Sequence, residues 1–338
     1  MKKNNVTLKD VAKFSGVSVP TVSRVVNDEK YISNEVKEKV LSAIKELNYT
    51  PQWAARSLRI KRTHTIGVII PNVSDYFFGS TVLAVENYFR KKGYDIILFN
   101  TSNDEDIEER AIKLAISKRV EGIILATISK SEKKISSIIN NFGIPIVVVD
   151  NKLNIKNIDQ VLSDDVGGSY KLVEHLIKKH GYKDIACISG PLEESSSFEK
   201  LTGYKKALEE NGLEINDKFI KVAYWKKSKA FEATRELLES SHKPEALYCM
   251  NANMLIGCLR YIIEKKIKIP EDLAIVTFDD YDFVSVVYPP VTSLKRIDIE
   301  MGTVAGEILF ERIEGSNEDY KVIRIESDLV IRNSCGCN

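Results

Sequence analysis

From Thr65 onward, short aliphatic and β-branched runs alternate with stretches of helical period, and this alternation constrains the chain more than any other feature. Strand-like runs fall at residues 66–70, 95–99, 122–125 and 146–149, with helices expected near 78–92, 105–117 and 132–141. A second set puts strands at 185–188, 220–223, 246–249 and 274–278, and helices near 167–179, 198–211, 230–240 and 254–264. A further helix at 300–313 and two late runs at 321–325 and 329–331 complete the pattern. Strands separated by helices pair in parallel, because the crossover returns each strand to the same edge direction, and the helices then cover both faces of the sheet. The chain is therefore expected to be α/β, and two sets predict two similar lobes. Small molecules bind such sheets beyond the carboxyl ends of the strands.

The segment before residue 65 follows different rules. Thr7 is placed to cap a helix, with Asp10 reaching back from its third position. Leu8, Val11, Ala12 and Phe14 give that helix an apolar stripe, and Gly16 supplies a left-handed turn. Ser18 caps a second helix over 19–26, where Pro20 falls harmlessly in the first turn. Val22, Val25 and Val26 face inward. Ser33 caps a third helix over 34–47, whose Val36, Val40, Ile44 and Leu47 close a small core. Two short helices around a Gly turn form a helix-turn-helix, whose second helix enters the major groove of DNA. Charge points the same way. Residues 1–65 hold 13 Lys and Arg against 6 Asp and Glu, while the remainder holds 36 against 42. A basic head on a mildly acidic body suits phosphate contact at one end only.

The run Val11-Ala-x-x-Ser-Gly-Val-Ser-x-x-Thr-Val-Ser-Arg-Val-Val-Asn27 resembles the head of the lactose-repressor/galactose-repressor family of bacterial transcription regulators. Tyr49-Thr-Pro-Gln-Trp-Ala-Ala-Arg-Ser-Leu58 is similar to that family's hinge. So are, in the body, Ile66-Gly-Val-Ile-Ile-Pro-Asn, Val120-Glu-Gly-Ile-Ile-Leu, Ser163-Asp-Asp-Val-Gly-Gly and Val276-Thr-Phe-Asp-Asp. The resemblance implies a helix-turn-helix head at 1–50, a hinge at 51–64, and a two-lobed body of periplasmic-binding-protein type at 65–338. It puts lobe 1 at about 65–163 and 293–325, and lobe 2 at about 164–292 and 326–338. The expected DNA-facing set is Thr7, Val19, Pro20, Thr21, Ser23, Arg24, Asn27 and Tyr31. Arg24 suits the two acceptors of a guanine, and Thr21 and Ser23 suit phosphates. In the hinge the resemblance makes Leu58 a wedge into the minor groove, with Ala55 beside it and Arg56 near phosphate.

The effector residues implied by the resemblance end strands or begin the loops that follow: Asp75, Phe77, Asp150, Lys200, Trp225, Asn251 and Asp279. Carboxylates and an amide bond paired hydroxyls, and an aromatic face covers the apolar face of a sugar. The effector is thus expected to be a sugar or sugar derivative, with a link to carbohydrate metabolism. Each residue also has a plainer reading, as a turn cap or as core. The chain departs from the family where many members carry Arg for Lys200, a carboxylate for Ala252 and Gly for Thr277.

The expected function is a sequence-specific regulator, most often a repressor in this family. It would bind a near-palindromic operator as a dimer, since two-fold symmetry sets half-sites about a turn apart. The resemblance leads us to expect a dimer, without the heptad tail that makes tetramers of the family's longer members. The alternative is a catabolite-control-type regulator governed by a phosphorylated phosphocarrier protein. Against it, residues 281–288 hold no basic side chain to receive such a partner. A sugar-binding receptor or an enzyme is the remaining class. No phosphate loop or nucleophile elbow supports the enzyme. The start, Met1-Lys-Lys-Asn-Asn-Val, lacks a signal peptide's apolar core and no run reaches membrane length, so a cytoplasmic protein is expected. The five Cys are scattered and read as reduced. Cys335-Gly-Cys337 reads as two ligands with no nearby His, and His64, His175, His180 and His242 read as unrelated surface residues. No metal and no cofactor are expected.

Overall fold

The computed structural model describes residues 6–26, 32–49, 62–128, 132–295 and 297–337. The chain divides into two compact units, Met1–Thr63 and His64–Asn338.

The first unit packs α1 (Leu8–Ser15), α2 (Val19–Val26) and α3 (Asn34–Glu46) around fully buried Val11, Val22 and Val40. The Thr7 side chain accepts from the Asp10 amide, and the Asp10 carboxylate accepts from the Thr7 amide at 2.8 Å. Two otherwise orphaned donors are thereby satisfied. Gly16 closes α1 at φ +70°. Ser18 Oγ accepts from the Thr21 amide at 3.3 Å, opening α2. Two expectations are corrected. Ser33 stands at the N-cap of α3, but its side chain makes no capping bond. Phe14 is 56% exposed, because it points away from the valine core rather than joining the stripe.

In the second unit, lobe 1 begins with β1 (Thr65–Ile70), α4 (Tyr76–Lys91), β2 (Asp95–Asn100) and α5 (Glu105–Ser117). It continues through β3 (Gly122–Leu125), α6 (Glu132–Phe142), β4 (Ile146–Val149) and β5 (Asp159–Ser163). Lobe 2 begins with α7 (Asp165–His180), β6 (Ile185–Ser189), α8 (Ser195–Glu210) and β7 (Ile220–Val222). It continues through α9 (Lys227–Leu238), β8 (Ala246–Cys249), α10 (Ala252–Glu264), β9 (Ala274–Thr277) and α11 (Asp282–Val286). The chain then passes through β10 (Ser293–Leu294), α12 (Asp298–Ile313), β11 (Val322–Ile325) and β12 (Leu329–Val330).

Lobe 1 holds a six-stranded sheet in the order β11-β5-β4-β3-β1-β2, and lobe 2 a four-stranded sheet in the order β7-β6-β8-β9; both are parallel throughout. Side chains alternate across a strand. Ile66, Val68 and Ile70 of β1 therefore pack into one core and Ile69 into the core on the opposite face. Both faces being covered, the strands read as nearly continuous apolar runs. β5 is the exception, and it was not expected as a strand. Its five residues are all buried, yet they include Asp159 and Gln160. Arg312 of α12 grips Asp159 with two bonds of 2.8 and 3.0 Å, and Gln160 bonds both ways with the Leu153 backbone. Burial of these polar groups is tolerated because each is paired. α12 and β11 return to lobe 1, whereas β10 pairs antiparallel with β12 and adds Leu294 and Leu329 to the lobe 2 core. Among the described residues, no helix is long and apolar enough to cross a membrane.

Candidate functional site

The carboxyl ends of the two parallel sheets border one cavity of about 550 Å³. Most of the strands that reach it do so through the loop after them. Asp75 and Phe77 follow β1, Asp150 follows β4, Trp225 follows β7, Asn251 follows β8 and Asp279 follows β9. Lys200 arrives from the second turn of α8. All seven residues expected at an effector site thus line the same space. The backbone is unusual there. Asp150, Tyr224 and Trp225 hold φ values of +70°, +54° and +57°, a region that residues other than Gly enter at a cost and keep only when the surroundings impose it.

Charge is concentrated at the centre of the cavity. Lys200 Nζ lies 3.7 Å from Asp165 Oδ1, 4.2 Å from the centre of the Phe278 ring and 5.5 Å from that of Trp225. Burial alone would lower the Lys200 ammonium, but Asp165, Asp279 and Asp150 outweigh it and hold it above the ordinary lysine range. The carboxyls move the other way. Burial pushes Asp150 up to about 8, with Lys200 opposing and Asp165, Glu194 and Asp75 adding to the rise. Burial likewise raises Asp279 to about 7 and Asp165 to about 6, again against the pull of Lys200. Asp75 is raised by burial as well, although the Phe77 amide and Asn253 bond its carboxylate. One ammonium does not balance this many carboxylates in a low-dielectric space, so some of them hold protons at neutral pH. Asp165 Oδ1 has no hydrogen-bond partner among the described residues.

The rest of the site fixes these groups. Asp75 caps α4, accepting from the Phe77 amide at 3.0 Å, and its other oxygen accepts from Asn253 Nδ2 of lobe 2 at 2.6 Å. Asn251 caps α10 by accepting from the Met254 amide at 2.8 Å. Asp279 accepts from the Ala252 amide at 2.8 Å, so Asp279 supports the start of α10 where residue 252 has no carboxylate of its own. The Trp225 indole donates to Glu194 at 2.7 Å. Gly190 makes room for that ring, since a Cβ there would lie 2.1 Å from it. Arg324 of β11 forks onto Glu199 of α8 at 2.7 and 2.8 Å, linking the lobes again.

Reasoning from sequence missed Asp165, Glu194, Asn253 and Phe278 as cavity residues. Asp165 sits just after β5, and the polar residues that hid the strand hid its loop too. The strand expected at 274–278 stops one residue early, at Thr277, which frees the Phe278 ring for the cavity.

In the first unit, Val19, Pro20 and Arg24 of α2 are exposed, and Thr21 and Ser23 are half-buried. Thr7 is engaged in the cap of α1. Asn27, Tyr31, Ala55, Arg56 and Leu58 lie outside the described residues.

The reading of Cys335-Gly-Cys337 as lacking nearby His is corrected. His175 and His180 of α7 come together with both cysteines, and one ligating atom from each of the four lies within 4.8 Å of the others. His175 is buried rather than surface, because α7 turns it toward the segment after β12.

Residues 7–52 match a model described as bacterial regulatory proteins of the lacI family, and residues 63–333 match periplasmic binding proteins and the sugar-binding domain of the LacI family. The transcriptional repressor PurR of Pasteurella multocida (strain Pm70) is 33% identical over 328 residues, covering 97% of this chain and 98% of that protein. PurR of Haemophilus influenzae (strain PittEE) is 33% identical over 331 residues, with the same shares covered. Among solved structures, the lac repressor dimer bound to operator and the anti-inducer ONPF is similar at a TM-score of 0.89 and 26% identity, over 98% of this chain and 99% of that one. The regulator CelR in complex with cellobiose is similar at a TM-score of 0.75 and 27% identity, over 97% and 99%.

Proposed function

That the chain belongs to the LacI family of DNA-binding bacterial transcription regulators is the premise from which we propose its specific role: a cytoplasmic repressor, dimeric on a near-palindromic operator, governed by a sugar-related molecule held between its lobes. The observation that carries the ligand class is Lys200 ringed by Asp150, Asp165 and Asp279 beneath Phe278 and Trp225. A carboxyl accepts hydrogen bonds when ionised and also donates one when protonated, so a ligand rich in hydroxyls, which do both, fits this mixed set. The aromatic rings suit the apolar face of such a ligand. Cellobiose in the CelR complex is a ligand of this chemistry.

The DNA role falls to Val19, Pro20, Thr21, Ser23 and Arg24 on α2, with Thr7, Asn27 and Tyr31 beside them and Ala55, Arg56 and Leu58 in the hinge. Asp75, Phe77, Asp150, Lys200, Trp225, Asn251 and Asp279 form the effector site. The effect of an effector on operator affinity equals its own difference in affinity for the two states of the protein. Control by a phosphorylated carrier protein is the lesser reading, because residues 281–288 offer no Lys or Arg.

The test starts with selection of bound duplexes from a random library by the full-length protein at a stated, near-physiological salt. The selected operator then serves in a screen of mono- and disaccharides for altered affinity. A near-palindrome, and a sugar whose effect vanishes in Trp225→Ala while ligand-free operator binding stays intact, support the reading. Failure to enrich any sequence, or a Trp225→Ala protein that responds unchanged, overturns the corresponding half of it.

A further inference from the structure

Away from the cavity, at the opposite end of α7, two imidazoles and two thiols meet. His175 Nε2 lies 3.4 Å from Cys335 Sγ and 3.7 Å from Cys337 Sγ, and His180 Nε2 lies 3.3 Å from Cys337 Sγ. In a tetrahedral site with zinc–sulfur bonds of about 2.3 Å and zinc–nitrogen bonds of about 2.0–2.1 Å, neighbouring ligand atoms are about 3.3–3.8 Å apart. These three separations fall in that range, and all four ligand atoms lie within 4.8 Å of one another. From this geometry we infer that His175, His180, Cys335 and Cys337 form a structural zinc site that clamps the segment after β12 onto α7.

The backbone around the cluster is arranged for it. Gly336, between the two cysteines, holds φ +103°, and a Cβ there would press on the His180 ring at 3.1 Å. Both sulfurs can then turn to one side. Tyr182 stacks on His180 and donates to the Cys335 carbonyl at 3.2 Å, and Asn333 donates to the Cys337 carbonyl at 3.2 Å. Ser334 anchors the segment to the sheet by donating to the Ile275 carbonyl at 2.6 Å. Cys335 is fully buried and His175 nearly so, whereas His180 and Cys337 are partly exposed.

The ligand chemistry selects the ion. Two thiols and two imidazoles are soft and borderline donors, suited to zinc and poorly suited to magnesium or calcium. On binding, the two thiols release their protons, and two thiolates with one divalent ion form a neutral group. That neutrality removes the penalty of burying charge. All four protein ligands are supplied, so no position is open to a substrate and the role is structural. The clamp joins residues about 160 positions apart in the chain, as the His175–Cys335 pair shows.

The experiment is metal analysis of the full-length protein, purified under reductant without a histidine tag, alongside His180→Asn and Cys337→Ser. These variants alter the two partly exposed ligands, and circular dichroism and operator binding verify that they fold. About one zinc per chain is expected in the wild type, with more than a tenfold loss in the double variant. Cobalt(II) added to the stripped protein should give the thiolate charge-transfer and visible bands of a tetrahedral centre, and removal of zinc should lower the melting temperature. A folded, reduced wild-type protein that takes up neither zinc nor cobalt overturns the proposal. So does a Cys335–Cys337 disulfide in the reductant-treated protein, or zinc that persists undiminished in a folded double variant.

Discussion

In the N-terminal unit no described charged side chain is buried; Arg24 lies outside a core of Val11, Val22, Val25 and Val40. The second unit does the reverse at its centre, where Asp165 and Lys200 are buried and Asp150 and Asp279 half-buried beyond the ends of the strands. The two arrangements answer to two kinds of partner. DNA presents the same phosphate charge at every site, and solvated basic groups meet it without prior cost. A small ligand comes and goes, and a desolvated cluster registers its presence because each group there is held away from its ordinary protonation.

This contrast can be broken in three places, beginning with the largest effect. Lys200→Met removes the ammonium that opposes every raised carboxyl in the cavity. Leaving buried charges without their partner costs about 3 kcal/mol, which chemical denaturation of the body would read. A stability unchanged by the substitution would mean that the cluster is solvated, and the contrast with the head would fall. Arg24→Ala should leave the fold intact and cost roughly 1–3 kcal/mol at one base position per half-site, read by repeating the duplex selection. An equal loss across all sequences would reduce Arg24 to a phosphate contact.

The third effect is one of pH. Asp150, Asp279 and Asp165 titrate near 8, 7 and 6 in the folded protein, well above the ordinary carboxylate range. The native state therefore binds more protons than the unfolded chain between about pH 4 and 8. The stabilising contribution of these groups is complete below the unfolded value near 3.8 and is lost as pH rises through 6 to 8. Urea unfolding should show the body gaining stability from pH 8 to pH 6. Asp150→Asn should flatten that slope. The N-terminal unit, with no buried carboxyl among its described residues, should unfold with little dependence on pH over the same range.

Legibility in the sequence follows the range of the interactions. The head declares itself because its signals are local: Thr7 and Asp10 are three residues apart, and Gly16 ends the helix they begin. The apolar strands of both lobes are equally plain, since β1 and β4 need only their own side chains to be recognised. β5 is different. Its Asp159 is made acceptable by Arg312, 153 residues away, and nothing near either residue announces the pair. The cavity follows the same division. Asp75, Asp150, Trp225, Asn251 and Asp279 follow recognisable strands, whereas Asp165 and Asn253 depend on an unrecognised strand and a contact across the lobes. His175 and Cys335, 160 residues apart, are the extreme case.

The return of α12 and β11 to lobe 1 has a consequence for how the protein is made. Residues 65–163 leave the ribosome before lobe 2, but Met301, Ala305 and Leu309 of α12 complete the core built on Ile66, Val68, Val147 and Val149. β11, at 322–325, supplies the edge beside β5. The four strands of the lobe 2 sheet, in contrast, are contiguous between Ile185 and Thr277. A growing chain thus carries an apolar face of its earlier lobe uncovered while the later sheet is already complete. Translation order and maturation order run opposite, and the interval between them is when this protein most needs shielding from its neighbours.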